Sequence, residues 1–211
     1  GERLTGLFTR AELIDQLGVF FLAGHETTAS ALTWAFYVLA KRPDILARIR
    51  EEIETVTQGD AIDFSHIRAL DLTRSVFKES LRLYPPITFI PRVAAENCEI
   101  LGRKIKKGAM VMIAPWVVHR HEAYWPNPHC FDAERFMSHR EHEVVPNTYM
   151  PFGLGPRVCV GANFATIEAT LILARIARRY DIDLVPGQEI KPVARLTTRP
   201  KDQIMIKVSR R

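Results

Sequence analysis

FGLGPRVCVGANFATIEATL, running from Phe152 to Leu171, sets Cys159 between a glycine-rich turn and an amphipathic stretch. Phe152, Gly155, Arg157, Cys159 and Gly161 fit the pattern F-x-x-G-x-R-x-C-x-G, which average residue frequencies would match by chance in well under about one in a million windows. The spacing predicts a helix from about Gly161 to Tyr180 with the cysteine at its first turn. A helix start offers unpaired N–H groups and the positive end of a dipole, and both favour a thiolate over a thiol. Gly155 permits a tight turn before the sulfur, and Gly161 lets backbone lie close to a flat ligand. Arg157 supplies a cation to an anionic group nearby. A lone cysteine is otherwise a small buried residue, a reading the filled pattern opposes.

The surrounding composition is that of a soluble globular chain, with 47% apolar and 25% charged residues in 211. Cys98, Cys130 and Cys159 are an odd number at wide spacing without a CxxC pair, which argues against a disulfide framework or structural zinc and for a reducing compartment. The opening GERLTG is polar and does not read as a signal peptide. The longest apolar run, LGVFFLAG (Leu17–Gly24), is too short to span a bilayer. The net charge of +5 is mild and the basic residues are scattered, so no nucleic-acid partner is expected. Arg175, Arg178 and Arg179 cluster on one helix; a solvated face and a docking site for an acidic partner fit them equally.

Upstream, Leu13, Leu17, Phe20, Gly24, Thr27, Ala31, Trp34 and Val38 recur at steps of three and four, with Ile14, Phe21, Thr28 and Leu32 beside them. This predicts a long helix, apolar around most of its circumference and running through a protein interior until Pro43 stops it. Ile45, Ile49, Ile53 and Val56 mark a second helix, broken by TQGD. Leu72, Val76, Glu79 and Leu83 mark a third from about Asp71 to Leu83, ended by Pro85 and Pro86. Extended pieces follow at RVAAENCEI, RKIKKG and AMVMIAP, with Lys107-Gly108 as a turn. Trp116 to Pro151 is irregular, and weak strands close the chain. The fold class is therefore mainly α with a minor β part. Its first helix needs covering by elements the chain does not supply.

The cysteine loop resembles the heme-binding loop of the cytochrome P450 family, in which the thiolate is the axial ligand of heme iron. Three further segments match that family in order. AGHETT (Ala23–Thr28) resembles its oxygen-activation motif: Gly24 leaves room beside the heme, and the Glu26–Thr27 acid–alcohol pair delivers protons. On the bottom-up reading, Gly24 and Thr27 share a helical face where glycine costs about 1 kcal/mol relative to alanine. The Thr27 hydroxyl can bond back to the carbonyl four residues earlier; alone, it would be an ordinary packed threonine. KESLR resembles the E-x-x-R signature, with Glu79 and Arg82 three apart as a buried ion pair, and Arg135 of AERF completes a structural network. Ala133 stands where the family usually has proline. ITFIPRVA resembles the segment lining the substrate pocket, and its Arg92 would join Arg157 on a heme propionate.

The resemblance covers essentially all of residues 1–211, but only the C-terminal half of the family's single domain, from the central oxygen-binding helix onward. It implies that the N-terminal half is absent. The implied function is heme b (iron protoporphyrin IX) chemistry with Cys159 as the metal ligand: dioxygen is activated and one oxygen atom enters a small, apolar organic substrate. Gly24, Glu26 and Thr27 are the catalytic set, and Cys159, Arg157, Arg92, Phe152, Gly155 and Gly161 bind the cofactor. Electrons would come from NAD(P)H through a ferredoxin, flavodoxin-like or diflavin reductase. A cytoplasmic location is expected, with no membrane segment in this portion. The alternative is a non-catalytic heme-binding fragment or sensor module.

Overall fold

A computed structural model describes residues 7–211; the opening GERLTG, with its reading as no signal peptide, lies outside them. Helix α1 (Arg10–Lys41) begins at a reciprocal cap. The Thr9 Oγ1 accepts from the Glu12 N–H, and the Glu12 carboxylate accepts from the Thr9 N–H at 2.6 Å, so two of the helix's orphan donors are satisfied. Pro43 is the first residue of α2 (Pro43–Thr57), where its missing N–H costs nothing. Gln58 ends α2 in the left-handed conformation. Helix α3 (Asp71–Leu83) has no side-chain cap of its own. Glu52 of α2 serves instead, accepting from the Thr73 N–H at 2.9 Å and the Thr73 hydroxyl at 2.6 Å.

Two antiparallel ladders follow: β1 (Ile90–Val93) pairs with β4 (Met110–Ile113), and the hairpin of β2 (Cys98–Ile100) and β3 (Arg103–Ile105) lies between them in sequence. The stretch expected as one extended piece from Arg92 to Ile100 is thus divided between two ladders. A short α4 (Pro115–Val118) opens the irregular segment that leads to the cysteine loop. Helix α5 (Ala162–Arg179) runs into β5 (Tyr180–Leu184), which pairs with the terminal β8 (Ile206–Arg210). Between them β6 (Pro192–Ala194) and β7 (Thr198–Pro200) form a last small hairpin.

The core lies where α2, α3, α5 and the C-terminal part of α1 meet. Ala35, Leu39, Ile49, Ile53, Val76, Phe77, Leu173 and Ala177 are buried there. Arg50 joins α2 to the end of α5, donating to the carbonyls of Ala177 at 2.9 Å and Tyr180 at 2.7 Å and to the Asp181 carboxylate at 2.7 Å. Two of the three clustered arginines are structural: Arg175 donates to the Ile62 carbonyl, and Arg178 to the carbonyls of Asp60 and Gly59. They hold down the turn after α2, which leaves them little freedom for a partner.

The expectation that α1 runs through the interior holds for its C-terminal part only. Ser30, Ala31, Trp34, Ala35, Val38, Leu39 and Ala40 are buried, whereas Ile14, Leu17, Val19, Phe20, Phe21 and Leu22 are exposed, Leu22 at 73%. The physical reason is that α2, α3, α5 and β5 reach only the later turns of the helix. Its apolar circumference continues past the part that this chain covers.

Candidate heme-thiolate site

The loop bearing Cys159 is closed by its own backbone. The Cys159 N–H donates to the Phe152 carbonyl at 2.9 Å, and the Val158 N–H to the Gly155 carbonyl at 3.0 Å. Phe152 packs its ring against the core and so anchors the loop from inside. Gly155 has φ +71°, a left-handed conformation that a side chain would strain. Cys159 precedes the helix rather than lying in its first turn: Gly161 caps α5, and the helix starts at Ala162. The cysteine carbonyl accepts from the Ala162 N–H at 3.3 Å. A methyl at Gly161 would sit 3.8 Å from the Cys159 sulfur, so glycine keeps the surface beside the sulfur shallow.

The Cys159 thiol is free and exposed. Arg157 and Arg92 are exposed as well, and among the described residues neither meets a carboxylate; Arg92 donates only to the carbonyl of Pro91 at 2.9 Å. Strand β1, which carries Arg92, lies against the loop, since a methyl at Gly153 would approach the Ile90 side chain at 4.0 Å. Apolar side chains stand open in the same segments: Phe89, Val158, Val160 and Phe164. One soft sulfur ligand, two guanidinium groups without a carboxylate partner among the described residues and exposed apolar surface form a donor set suited to heme, whose iron takes a thiolate and whose propionates take arginine. Among the described residues no group of three His, Cys, Asp or Glu side chains could hold a bare metal ion.

On α1, the Thr27 hydroxyl donates to the Ala23 carbonyl at 2.6 Å, the back-bond that tends to loosen a helix. A methyl at Gly24 would meet nothing within 4 Å, so packing within this chain does not require glycine there. Glu26 and Thr27 make no hydrogen bond to each other. Instead Glu26 Oε1 accepts from the Thr197 hydroxyl at 2.9 Å and pairs with Arg199 at 2.8 Å.

Behind the loop lies a buried polar lattice. Glu79 and Arg82 are both inaccessible to solvent and meet through two bonds of 2.7 Å. Arg82 also donates to the carbonyls of His119, Pro128 and Cys130 at 2.8, 2.7 and 3.0 Å, so its guanidinium is fully used. Glu79 takes further bonds from the Asp132 N–H at 3.0 Å and from Arg135 at 3.3 Å. A buried pair tolerates desolvation only when its remaining donors and acceptors are satisfied in this way.

Sequence reasoning misses His119, a histidine in an irregular segment with no periodic signal. It is fully buried. Its Nδ1 lies 3.1 Å from the Arg82 carbonyl, and its Nε2 accepts from the Met150 N–H at 2.9 Å, which together specify a neutral ring protonated on Nδ1. Burial, with Arg82 and Arg120 nearby, depresses its pKa to about 4. His119 thereby ties α3 to the strand of chain that enters the cysteine loop.

Comparison with known proteins identifies the family of the chain. The cytochrome P450 family model matches residues 2–208. Cyclooctatin synthase of Streptomyces melanosporofaciens is 41% identical over 187 residues, covering 89% of this chain and 41% of that protein. Pentalenene oxygenase of Streptomyces avermitilis is 32% identical over 95% of this chain and 44% of its own length. The chain thus spans about two fifths of the length of these curated relatives. Among solved structures, a cytochrome P450DA heme domain superposes with a TM-score of 0.84 at 33% identity, over 92% of this chain and 43% of that one.

Proposed function

Because the chain belongs to the cytochrome P450 family, we propose that it is the heme-binding, C-terminal part of a monooxygenase that inserts one oxygen atom of dioxygen into a small apolar organic substrate. The observation that carries this reading is the free, exposed Cys159 thiol at the mouth of a backbone-closed loop, beside two arginines that meet no carboxylate among the described residues. Heme b held there by Cys159 would supply redox chemistry for activating dioxygen, and a thiolate ligand would donate electron density to its iron.

The remaining roles belong to this chain's own side chains. Cys159 would supply the sulfur that holds the iron, with Phe152, Gly155 and Gly161 shaping the loop around it. Arg92 and Arg157 hold the propionates. Gly24 leaves the α1 surface open beside the oxygen site, and Glu26 and Thr27 conduct protons to it. Glu79, Arg82 and Arg135 keep the loop's support rigid and take no part in redox steps. Electrons come from NAD(P)H through a ferredoxin, flavodoxin-like or diflavin donor. The exposed apolar part of α1 and the Ile87–Pro91 stretch, Phe20 and Phe89 among them, favour an apolar substrate.

The test is Thr27→Ala in the heme-loaded protein supplied with reductase. Product formed per NAD(P)H consumed falls, while the carbon monoxide spectrum of the reduced protein stays unchanged. Unchanged coupling would remove Thr27 from the proton path. Heme binding without any turnover would favour the non-catalytic heme module.

A further inference from the structure

The polar contacts of Glu26 cross 171 residues of sequence to reach the β6–β7 hairpin. That hairpin is fixed to the body at Thr198, a buried residue. The Thr198 N–H donates to the Pro86 carbonyl at 2.9 Å and its hydroxyl to the Pro85 carbonyl at 2.6 Å. Its own carbonyl accepts from the Ser30 hydroxyl at 2.6 Å and the Trp34 indole N–H at 2.9 Å. Ser30 and Trp34 lie one and two turns along α1 from Glu26, so helix and hairpin are locked in register where they meet. Thr197 and Arg199, on either side of this fastening, both reach Glu26.

Both contacts fall on the same carboxylate oxygen. Glu26 Oε1 receives the Thr197 hydroxyl at 2.9 Å and Arg199 Nη2 at 2.8 Å. Arg199 Nε lies 3.4 Å from the Thr197 hydroxyl oxygen, which braces the two donors against each other. Oε2 has no hydrogen-bond partner within the described residues and is not among their buried unpaired atoms, so it stands open at their surface. Glu26 as a whole is partly buried, with 28% of its side chain exposed. A carboxylate held by one oxygen and open at the other has one lone-pair edge fixed in place and one free to exchange a proton.

We propose that Thr197 and Arg199 are positioning residues for the proton path: they clamp Glu26 through Oε1 and leave Oε2 as the oxygen that takes a proton from solvent water and passes it inward past Thr27. This rests on the reading of Glu26 and Thr27 given above. The clamp acts on geometry, because a carboxylate free to rotate presents Oε2 in the relaying direction only part of the time. It also ties the proton path to the last hairpin of the chain, with Leu196 of its turn standing 82% exposed.

The experiment is a double-mutant cycle in the heme-loaded, reductase-supplied protein with Arg199→Gln, Glu26→Gln and the pair, and Arg199→Lys as the conservative variant. Product per NAD(P)H consumed falls about two- to fivefold in Arg199→Gln, the range spanned by a partly exposed ion pair, and Arg199→Lys restores most of it. In the Glu26→Gln background the arginine change adds nothing. The second readout is urea unfolding followed by circular dichroism, in which the two midpoint shifts are non-additive. Additive effects on coupling, or full coupling in Arg199→Gln and in Thr197→Val, would overturn the clamp. The reading beneath it fails separately: if Glu26→Gln and Thr27→Ala themselves leave coupling unchanged, the proton path is elsewhere.

Discussion

Protonating His119 should weaken the fold, and the size of the effect follows from its surroundings. The ring is inaccessible, stacks against Tyr149 at 5.6 Å and bridges the Arg82 carbonyl and the Met150 N–H. A second ring proton would abolish the acceptor for Met150 and put a cation near Arg82 and Arg120. Burial is the largest cause of its low pKa, and the hydrogen bond to the Arg82 carbonyl only partly opposes it. The folded pKa of about 4 lies below the ordinary value near 6.5, so between these values the unfolded chain binds a proton that the folded chain refuses. Stability contributed by neutral His119 is whole above about pH 6.5 and falls with pH until about pH 4. At about 1.36 kcal/mol per pH unit, the loss sums to about 3 kcal/mol. Urea unfolding across pH 7.5 to 4 checks this against His119→Gln, whose amide oxygen can still accept from Met150. The variant starts less stable by about 1–3 kcal/mol because the Arg82 carbonyl loses its donor, and the gap to the unaltered protein narrows as pH falls. Parallel curves would refute the assignment of a buried neutral ring.

Three further outcomes follow from the same geometry. Glu79→Ala leaves the inaccessible Arg82 without its counter-charge and should cost about 3–5 kcal/mol in urea unfolding. Gly155→Ala forces a side chain into φ +71°; it should cost about 1–2 kcal/mol and lower heme retention on gel filtration. Arg157→Ala should weaken heme affinity by about tenfold in a transfer assay to apomyoglobin, the value of one charge-assisted contact near 1.4 kcal/mol, with Arg92→Ala acting in the same direction.

What sequence could convey depended on how local the cause was. The Leu72, Val76, Glu79, Leu83 stripe, stopped by Pro85–Pro86, predicts α3 to its end residues, because periodicity and proline act within a few residues. The same stripe places Glu79 on the buried face, where it lies at zero exposure. Helix α1 shows the limit. Its periodicity is real, but how far it is buried depends on neighbours, and these reach only Ser30 onward. The placement of Cys159 in the first helical turn erred because Gly161 takes a capping conformation and delays the helix to Ala162. His119 and the Glu26–Arg199 pair were illegible for another reason: their partners lie 31 to 173 positions away in irregular chain or short hairpins, where no spacing rule operates.

The most direct test of the central claim is the absorption spectrum of the heme-loaded protein, reduced and exposed to carbon monoxide, with Cys159→Ser as the control. A strongly red-shifted Soret band that disappears in Cys159→Ser is the predicted result, since it reports a thiolate from Cys159 on heme iron. A band at the shorter wavelength of imidazole or neutral-thiol ligation, or a spectrum that Cys159→Ser leaves unchanged, would contradict it.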